Sequence, residues 1–239
     1  MIERLLSHIS DSDINLETIH KIRKFVLDLA VRGKLVPQNS EEESADLLIQ
    51  KLGIEPNIDY DIGYEVPTGW RIVKIGQITI FNYGKGLKKD DRIATGQIPV
   101  YGSNGIVGTH DQSIAPGPTI VIGRKGSAGA INVSYTDCWP TDVCFYLEVP
   151  EGIDFHYWLM ILDHANLPEL AAGLKPGLNR NHAHELLAPI PPTGEQMRIM
   201  SKVNEIFSLC TELNSSIITR EETKKKLVES LFIEASEVI

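Results

Sequence analysis

A chain of 239 residues holds one large domain or two modest ones, and 42% hydrophobic with 23% charged residues are the proportions of an ordinary globular protein. No apolar run approaches the roughly 20 residues that span a bilayer, and the first ten residues lack the basic start, apolar stretch and small-residue site of a secretion signal. The net charge of −9 excludes a uniformly basic surface that would hold nucleic acid by charge alone.

That charge is unevenly spread. Residues 1–65 carry 13 acidic and 7 basic side chains, 66–194 carry 11 and 10, and 195–239 carry 8 and 6. The middle is nearly neutral, and its cations cluster as Lys85, Lys88, Lys89 and Arg92, then Arg124 and Lys125, then Lys175 and Arg180. Such clusters could contact a phosphate backbone, although composition alone favours solvated loop charges. The three cysteines, Cys138, Cys144 and Cys210, are odd in number and have no metal-ligand spacing, which predicts buried thiols in a reducing cytoplasm.

In chain order, Ile19, Ile22, Val26 and Leu29 recur at helical spacing, with Asp13 or Asn15 as cap and Gly33 after the end. A second short helix is predicted from the capping box Ser40/Glu43 to Gly53, burying Leu48, Ile49 and Leu52. From Tyr64 the texture changes to short apolar runs between glycines and prolines. Strands are expected over 70–75, 78–81, 119–122, 130–133 and 143–149, and the glycine-rich stretches 101–105 and 123–127 read as bent loops with polar tips. One helix is expected at 155–164, with Phe155, Trp158, Leu159 and Leu162 on one side. After the stop Pro189-Ile190-Pro191-Pro192, a capping box Thr193/Gln196 opens a helix free of Gly and Pro beyond Gly194, some 40 residues or about 60 Å long. Its heptad seam is Met200, Val203, Phe207, Cys210, Asn214 and Ile217, then Glu221 and Lys224, then Val228 and Leu231; the polar places mark a break or a register-setting stretch. Residues 23–31 and 225–233 echo each other faintly, as if both ends played one packing role. The expected class is α+β: an irregular antiparallel-sheet domain between helical ends, divided at 1–63, 64–192 and 193–239.

Motifs for chemistry are missing. Neither Gly84-Lys85-Gly86 nor Gly123-Arg124-Lys125-Gly126 has the spacing of a nucleotide-binding loop, and the aromatic-flanked Asn-Pro-Pro motif of an adenine methyltransferase does not occur. His182 and His184 would share one face of a strand, but no ligand set accompanies them; a structural role fits better than a metal site. Asp137 and Asp142 lack the converging lysine and carboxylates of a nuclease. What remains is a set of glycine-flanked loops tipped with Ser103-Asn104, Arg124-Lys125 and Asn179-Arg180-Asn181, side chains that grip phosphates and read base edges.

These stretches, in this order, carry a resemblance. Val66-Pro67-Thr68-Gly69-Trp70-Arg71, Ile98-Pro99-Val100-Tyr101-Gly102-Ser103-Asn104-Gly105, Gly123-Arg124-Lys125-Gly126-Ser127, Trp139-Pro140-Thr141-Asp142 and Pro176-Gly177-Leu178-Asn179-Arg180-Asn181 are similar to the target recognition domain of type I restriction–modification specificity subunits. Pro191-Pro192 with Glu195-Gln196 and Arg198-Ile199, and the segment 24–36, resemble the helical regions that the family conserves at either side.

The resemblance implies a non-catalytic subunit that binds double-stranded DNA. Modification subunits would methylate adenine with S-adenosylmethionine and a restriction subunit would supply the ATP-driven motor and nuclease with Mg, leaving no cofactor or metal on this chain. Lys85, Lys88, Lys89 and Arg92 are expected on phosphates; Asn104, Arg124, Asn179 and Arg180 on bases; Ser103, Lys125, Ser127, Lys175 and Asn181 alongside them. The family carries two recognition domains, whereas this chain has one, as a half-length subunit or a piece of a longer protein would. A homodimer through Val203, Phe207, Cys210, Ile217, Val228 and Leu231 would supply the second, and an interrupted palindrome would be its site. The competing functions are a helical interaction module with no DNA role, or a small nuclease or methyltransferase.

Overall fold

The structure, a computed structural model, describes residues 15–55, 60–171 and 177–236, with side chains of the last helix to 229. Contacts group the chain into two units, Met1–Ala30 with Ser201–Ile239 and Val31–Met200, where the sequence suggested three consecutive segments.

The first unit is helical. Asn15 caps α1 (Leu16–Val31): its Oδ1 accepts from the Thr18 backbone N–H at 2.9 Å. Asp13, the other candidate cap, lies outside the described residues. The stripe on α1 is buried at Ile19, Val26 and Leu29, as are Val203, Ile206 and Cys210 on α7 (Thr193–Ser236). Arg23 of α1 ties the two helices, donating to the Phe207 carbonyl and the Thr211 hydroxyl with its guanidinium 4.8 Å from the Phe207 ring. Along the seam, Asn214 and Ile217 are half-buried and Glu221, Lys224 and Val228 exposed, so the polar positions end the covered stripe without interrupting the helix.

The second unit is built on three small sheets. β1 (Arg71–Lys74) pairs antiparallel with β9 (Leu187–Ile190), Arg71 opposite Ile190. A four-stranded antiparallel sheet runs in the order β2 (Asn82–Tyr83), β8 (Cys144–Leu147), β5 (Thr119–Gly123), β6 (Ile131–Ser134). The third sheet joins the hairpin β3 (Ile98–Gly102) and β4 (Gly105–His110) to β7 (Trp139–Pro140) in the order β4, β3, β7. Every residue of β5 is buried, as its unbroken apolar run requires of an inner strand.

Helices fill the gaps between the sheets: α2 (Ala45–Lys51), α3 (Ile75–Ile78), α4 (Phe155–His164), α5 (Leu167–Leu170) and α6 (Arg180–Glu185). Asp154 caps α4, which buries Tyr157, Trp158, Met160, Ile161 and Leu162. The Tyr157 hydroxyl donates to the Pro189 carbonyl and the Trp158 indole to the Thr79 hydroxyl, so its two largest core side chains keep their polar atoms satisfied.

Local expectations fail where tertiary partners win. Ser44, not Ser40, caps α2, accepting from the Asp46 backbone N–H. The predicted strand at 78–81 is instead the end of α3 and the lead into β2. The bent loop at 101–105 is a hairpin turn, Ser103–Asn104, with Gly105 at φ +115°. β9 passes through Pro189 because a two-stranded ladder leaves that residue's missing N–H without consequence. The Thr193/Gln196 capping box does not form: Thr193 donates to the Gly152 carbonyl, and Gln196 accepts from the Asp154 N–H and donates to the Pro191 carbonyl.

Candidate nucleic-acid interface

The register of the four-stranded sheet sets the site. Tyr83 stands opposite Phe145, and Phe145 opposite Ile122, so the three lie in one cross-strand row. Tyr83 is 53% exposed and packs on the buried Phe145 ring at 5.1 Å, at the end of the sheet where β5 runs out into Arg124.

Two glycines bring the loops together. A Cβ on Gly84 would lie 2.1 Å from the Thr141 carbonyl oxygen, and one on Gly123 would lie 2.1 Å from that of Ser127 and 2.5 Å from that of Ser103. Only residues without side chains allow this approach. The hairpin tip Ser103–Asn104 is thereby seated on the 123–127 loop. Arg124 is fixed by its own backbone: its N–H donates to the Val143 carbonyl, and its carbonyl accepts from the Leu178 N–H. Lys125 forms a β-bridge with Gly177, which carries the chain into α6. Ser103, Asn104, Arg124, Lys125, Ser127, Asn179, Arg180 and Asn181 therefore come to one loop cluster.

Around Tyr83 the guanidinium carbons of Arg124 and Arg180 each stand 5.2 Å from the ring centroid. Lys85, two residues further on, lies 5.6 Å from the Trp139 ring, whose indole N–H donates to the Lys85 carbonyl at 2.8 Å. Neither aromatic is among the site residues expected from the sequence. Their sequence signal is an aromatic beside a glycine-spaced cation, as in Tyr83-Gly84-Lys85.

Other candidates are spent elsewhere. Asn179 caps α6, its Oδ1 accepting from the backbone N–H of Asn181 and His182, which removes the acceptor half of the amide that base reading would use; Arg180 is the first helical residue. Arg92 donates to the Val107 carbonyl at 2.8 Å along β4. Lys88 and Lys89 are exposed beside Asp90 and Asp91 in a 3-10 turn, so that stretch is not a pure run of cations. Lys175 lies outside the described residues. His182 and His184 sit on a helix, not a strand: His182 is exposed, and His184 Nε2 accepts from the Phe81 N–H at 3.2 Å with the rings edge to face. Burial, then the charge of Arg180, holds His184 below its ordinary value. Among the described residues no group of three or more potential metal ligands occurs, and no helix is long and apolar enough to cross a membrane. The three cysteines are free and buried, and burial pushes the Cys138 thiol up to about 11.

Glu195, Gln196 and Arg198 anchor the start of α7. Buried Glu195 accepts from the Trp70 indole at 2.9 Å and from the Gln38 amide at 2.6 Å, while Arg198 forks onto both Glu42 oxygens and reaches the Pro37 carbonyl. Burial raises the Glu195 pKa against these two donors. This group is structural and far from the loop cluster in the chain.

Residues 67–221 match the model of the type I restriction modification DNA specificity domain. The chain belongs to this family. It is similar to the specificity subunits of the type I restriction enzymes EcoEI and EcoAI of Escherichia coli, at 23% and 25% identity, each alignment covering 93% of this chain and 45% of the relative. The chain spans about half the length of the curated relatives it matches. Its fold resembles that of the type I restriction-modification S subunit from M. genitalium (TM-score 0.58, 18% identity, 94% of this chain and 55% of that one) and the HsdS subunit from Thermoanaerobacter tengcongensis (0.54, 18%, 84% and 49%). The specificity-domain match spans β1 to β9 and the first part of α7, so the loop cluster falls wholly within it.

Proposed function

We propose that this specificity-domain chain recognises a sequence in double-stranded DNA and directs partner modification and restriction subunits to it in the cytoplasm. The observation that carries this reading is the convergence of the hairpin tip, the 123–127 loop and the start of α6 on one cluster, with arginine, lysine, serine and amide side chains presented together. Arginine and lysine on such loops neutralise phosphates, and those held rigidly meet base edges in the major groove. The chain itself performs no methyl transfer or cleavage; S-adenosylmethionine, ATP and Mg belong to the partners. The near-neutral charge of residues 66–194 fits a module that leaves much of the nonspecific grip to other subunits.

The deciding experiment compares the methylome of a host with and without this gene. One methylated motif should vanish with the gene, and the purified chain alone should show no methyl transfer above a heat-killed control. An unchanged methylome would refute the reading, and activity of the isolated chain would return it to the enzyme class.

A further inference from the structure

Arginines in this protein are paired almost everywhere. Arg71 forks onto Asp46, Arg198 onto Glu42, Arg92 donates to Val107, Arg23 to Phe207 and Thr211, and Arg220 approaches Glu221. Arg32 packs against Tyr64 at 4.6 Å. Among the described arginines, Arg124 and Arg180 alone have neither a hydrogen-bond acceptor nor a carboxylate; the Nε of each is shut off from solvent without a protein acceptor, as is that of Arg92, whose Nη1 is satisfied by Val107. Both stand 5.2 Å from the same Tyr83 ring, which puts two like charges within twice that distance of each other. Leaving them uncompensated is costly unless something outside the chain supplies the acceptors.

The three residues are also held in place more firmly than a surface cation needs. Tyr83 is set by its pairing with Phe145, Arg124 by backbone hydrogen bonds to Val143 and Leu178, and Arg180 by the capped first turn of α6. A phosphate accepts a mobile ammonium from many directions, whereas the O6/N7 edge of guanine accepts a planar fork in one orientation. Resting on the DNA-recognition reading above, we propose that Tyr83 is a specificity-determining positioning residue, whose ring holds Arg124 and Arg180 as one two-fork reader of a guanine-containing step. Its contribution is to fix the direction of both guanidiniums before DNA arrives, which spares their ordering on binding.

The test uses the full chain and a pool of randomised duplexes, from which the preferred sequence is selected and sequenced. Affinity for that duplex and for its scrambled counterpart is then measured for four forms. Tyr83→Phe keeps the ring and should behave as wild type. Tyr83→Leu removes the ring from a half-exposed position and should lower the preference for the selected duplex by about ten- to a hundredfold, with little change on the scrambled one. Arg124→Lys keeps charge and loses the fork, and should lose preference in the same way with an unchanged unfolding midpoint. Equal losses on both duplexes for Tyr83→Leu, or full activity of Arg124→Lys, would mean a phosphate clamp and overturn the proposal while sparing DNA recognition. A selected sequence without guanine opposite this unit would overturn it too. Failure of the wild-type chain to prefer any duplex, both alone and in complex with its modification subunits, would overturn both.

Discussion

At the residue scale, the loop cluster shows how context redistributes roles among side chains of one type. The sequence alone assigns Arg92 to phosphates and Arg124 and Arg180 to bases, from clusters of cations that differ little in composition. Only the fold shows that Arg92 donates to Val107 of the β3–β4 hairpin that follows it while the others converge on Tyr83. Asn179 looked like a base reader because an asparagine before a short helix and an asparagine in a recognition loop read alike. Its loss should therefore register first as stability: Asn179→Ala should cost about 1 kcal/mol in urea unfolding, the usual worth of a cap. His184 gives a pH signature. Its neutral Nε2 accepts from Phe81, and its pKa lies below the ordinary 6.5, so the unfolded chain binds the proton first as pH falls. The stability that His184 supports is complete above that value and is lost as pH drops through 6.5 toward the lower folded-state pKa. The urea midpoint should fall more between pH 7.5 and 5.5 for wild type than for His184→Gln; equal slopes would show that His184 is not the titrating group.

At the element scale, what the sequence declared is what needs no distant partner. The helix over 155–164, the helical stripe on α1, the buried run of β5 and the antiparallel α+β class follow from periodicity and punctuation. What it concealed depends on pairing across the chain. β9 reads locally as a proline stop and becomes a strand only beside β1, and Gln196 reads as half of a capping box although its partner is the Asp154 N–H. The loop cluster was legible as a set of polar tips and not as an arrangement, since nothing local says that Gly123 lets two carbonyls approach. Gly123→Ala should accordingly be among the most damaging single changes near the site, lowering the thermal midpoint and the yield of folded protein, because its Cβ would meet backbone and not a movable side chain. At the foot of α7, Gln196→Ala would leave the part-buried Asp154 N–H and the buried Pro191 carbonyl unmet, at roughly 1–3 kcal/mol for the carbonyl and less for the N–H, measurable by denaturant titration.

At the scale of the whole molecule, the chain spans about half the length of the curated relatives it matches, and under the proposed function a second recognition unit would come from another copy, from another chain or from further sequence of the same protein. The seam first expected to join two copies is partly occupied: Val203 and Cys210 are 2% exposed, and Phe207 is engaged by Arg23. Ile217 is half-buried, Val228 is 44% exposed, and the side chain of Leu231 lies outside those described. Self-association, if it uses α7, must use the apolar residues left outward, such as Leu209, Leu213 and Ile218. Light scattering at tens of micromolar should give a dimer that Ile218→Asp weakens, with an interrupted palindrome as the methylated motif; an asymmetric motif would point to a different chain as the second half. The β1–β9 ladder has a mechanical consequence. Within the second unit, the chain enters this ladder at Arg71 and leaves it at Ile190, and these residues face each other at one end of the antiparallel pair. A force drawing the two flanks apart loads the ladder from that end, so its rungs break one after another and not together. Once they part, about 120 residues and on the order of 400 Å of chain come free. Pulled by its flanks in an optical trap, this unit should yield by peeling, at a lower force than a sheared ladder of the same length, with the Glu195–Trp70 clasp as the first latch to give way.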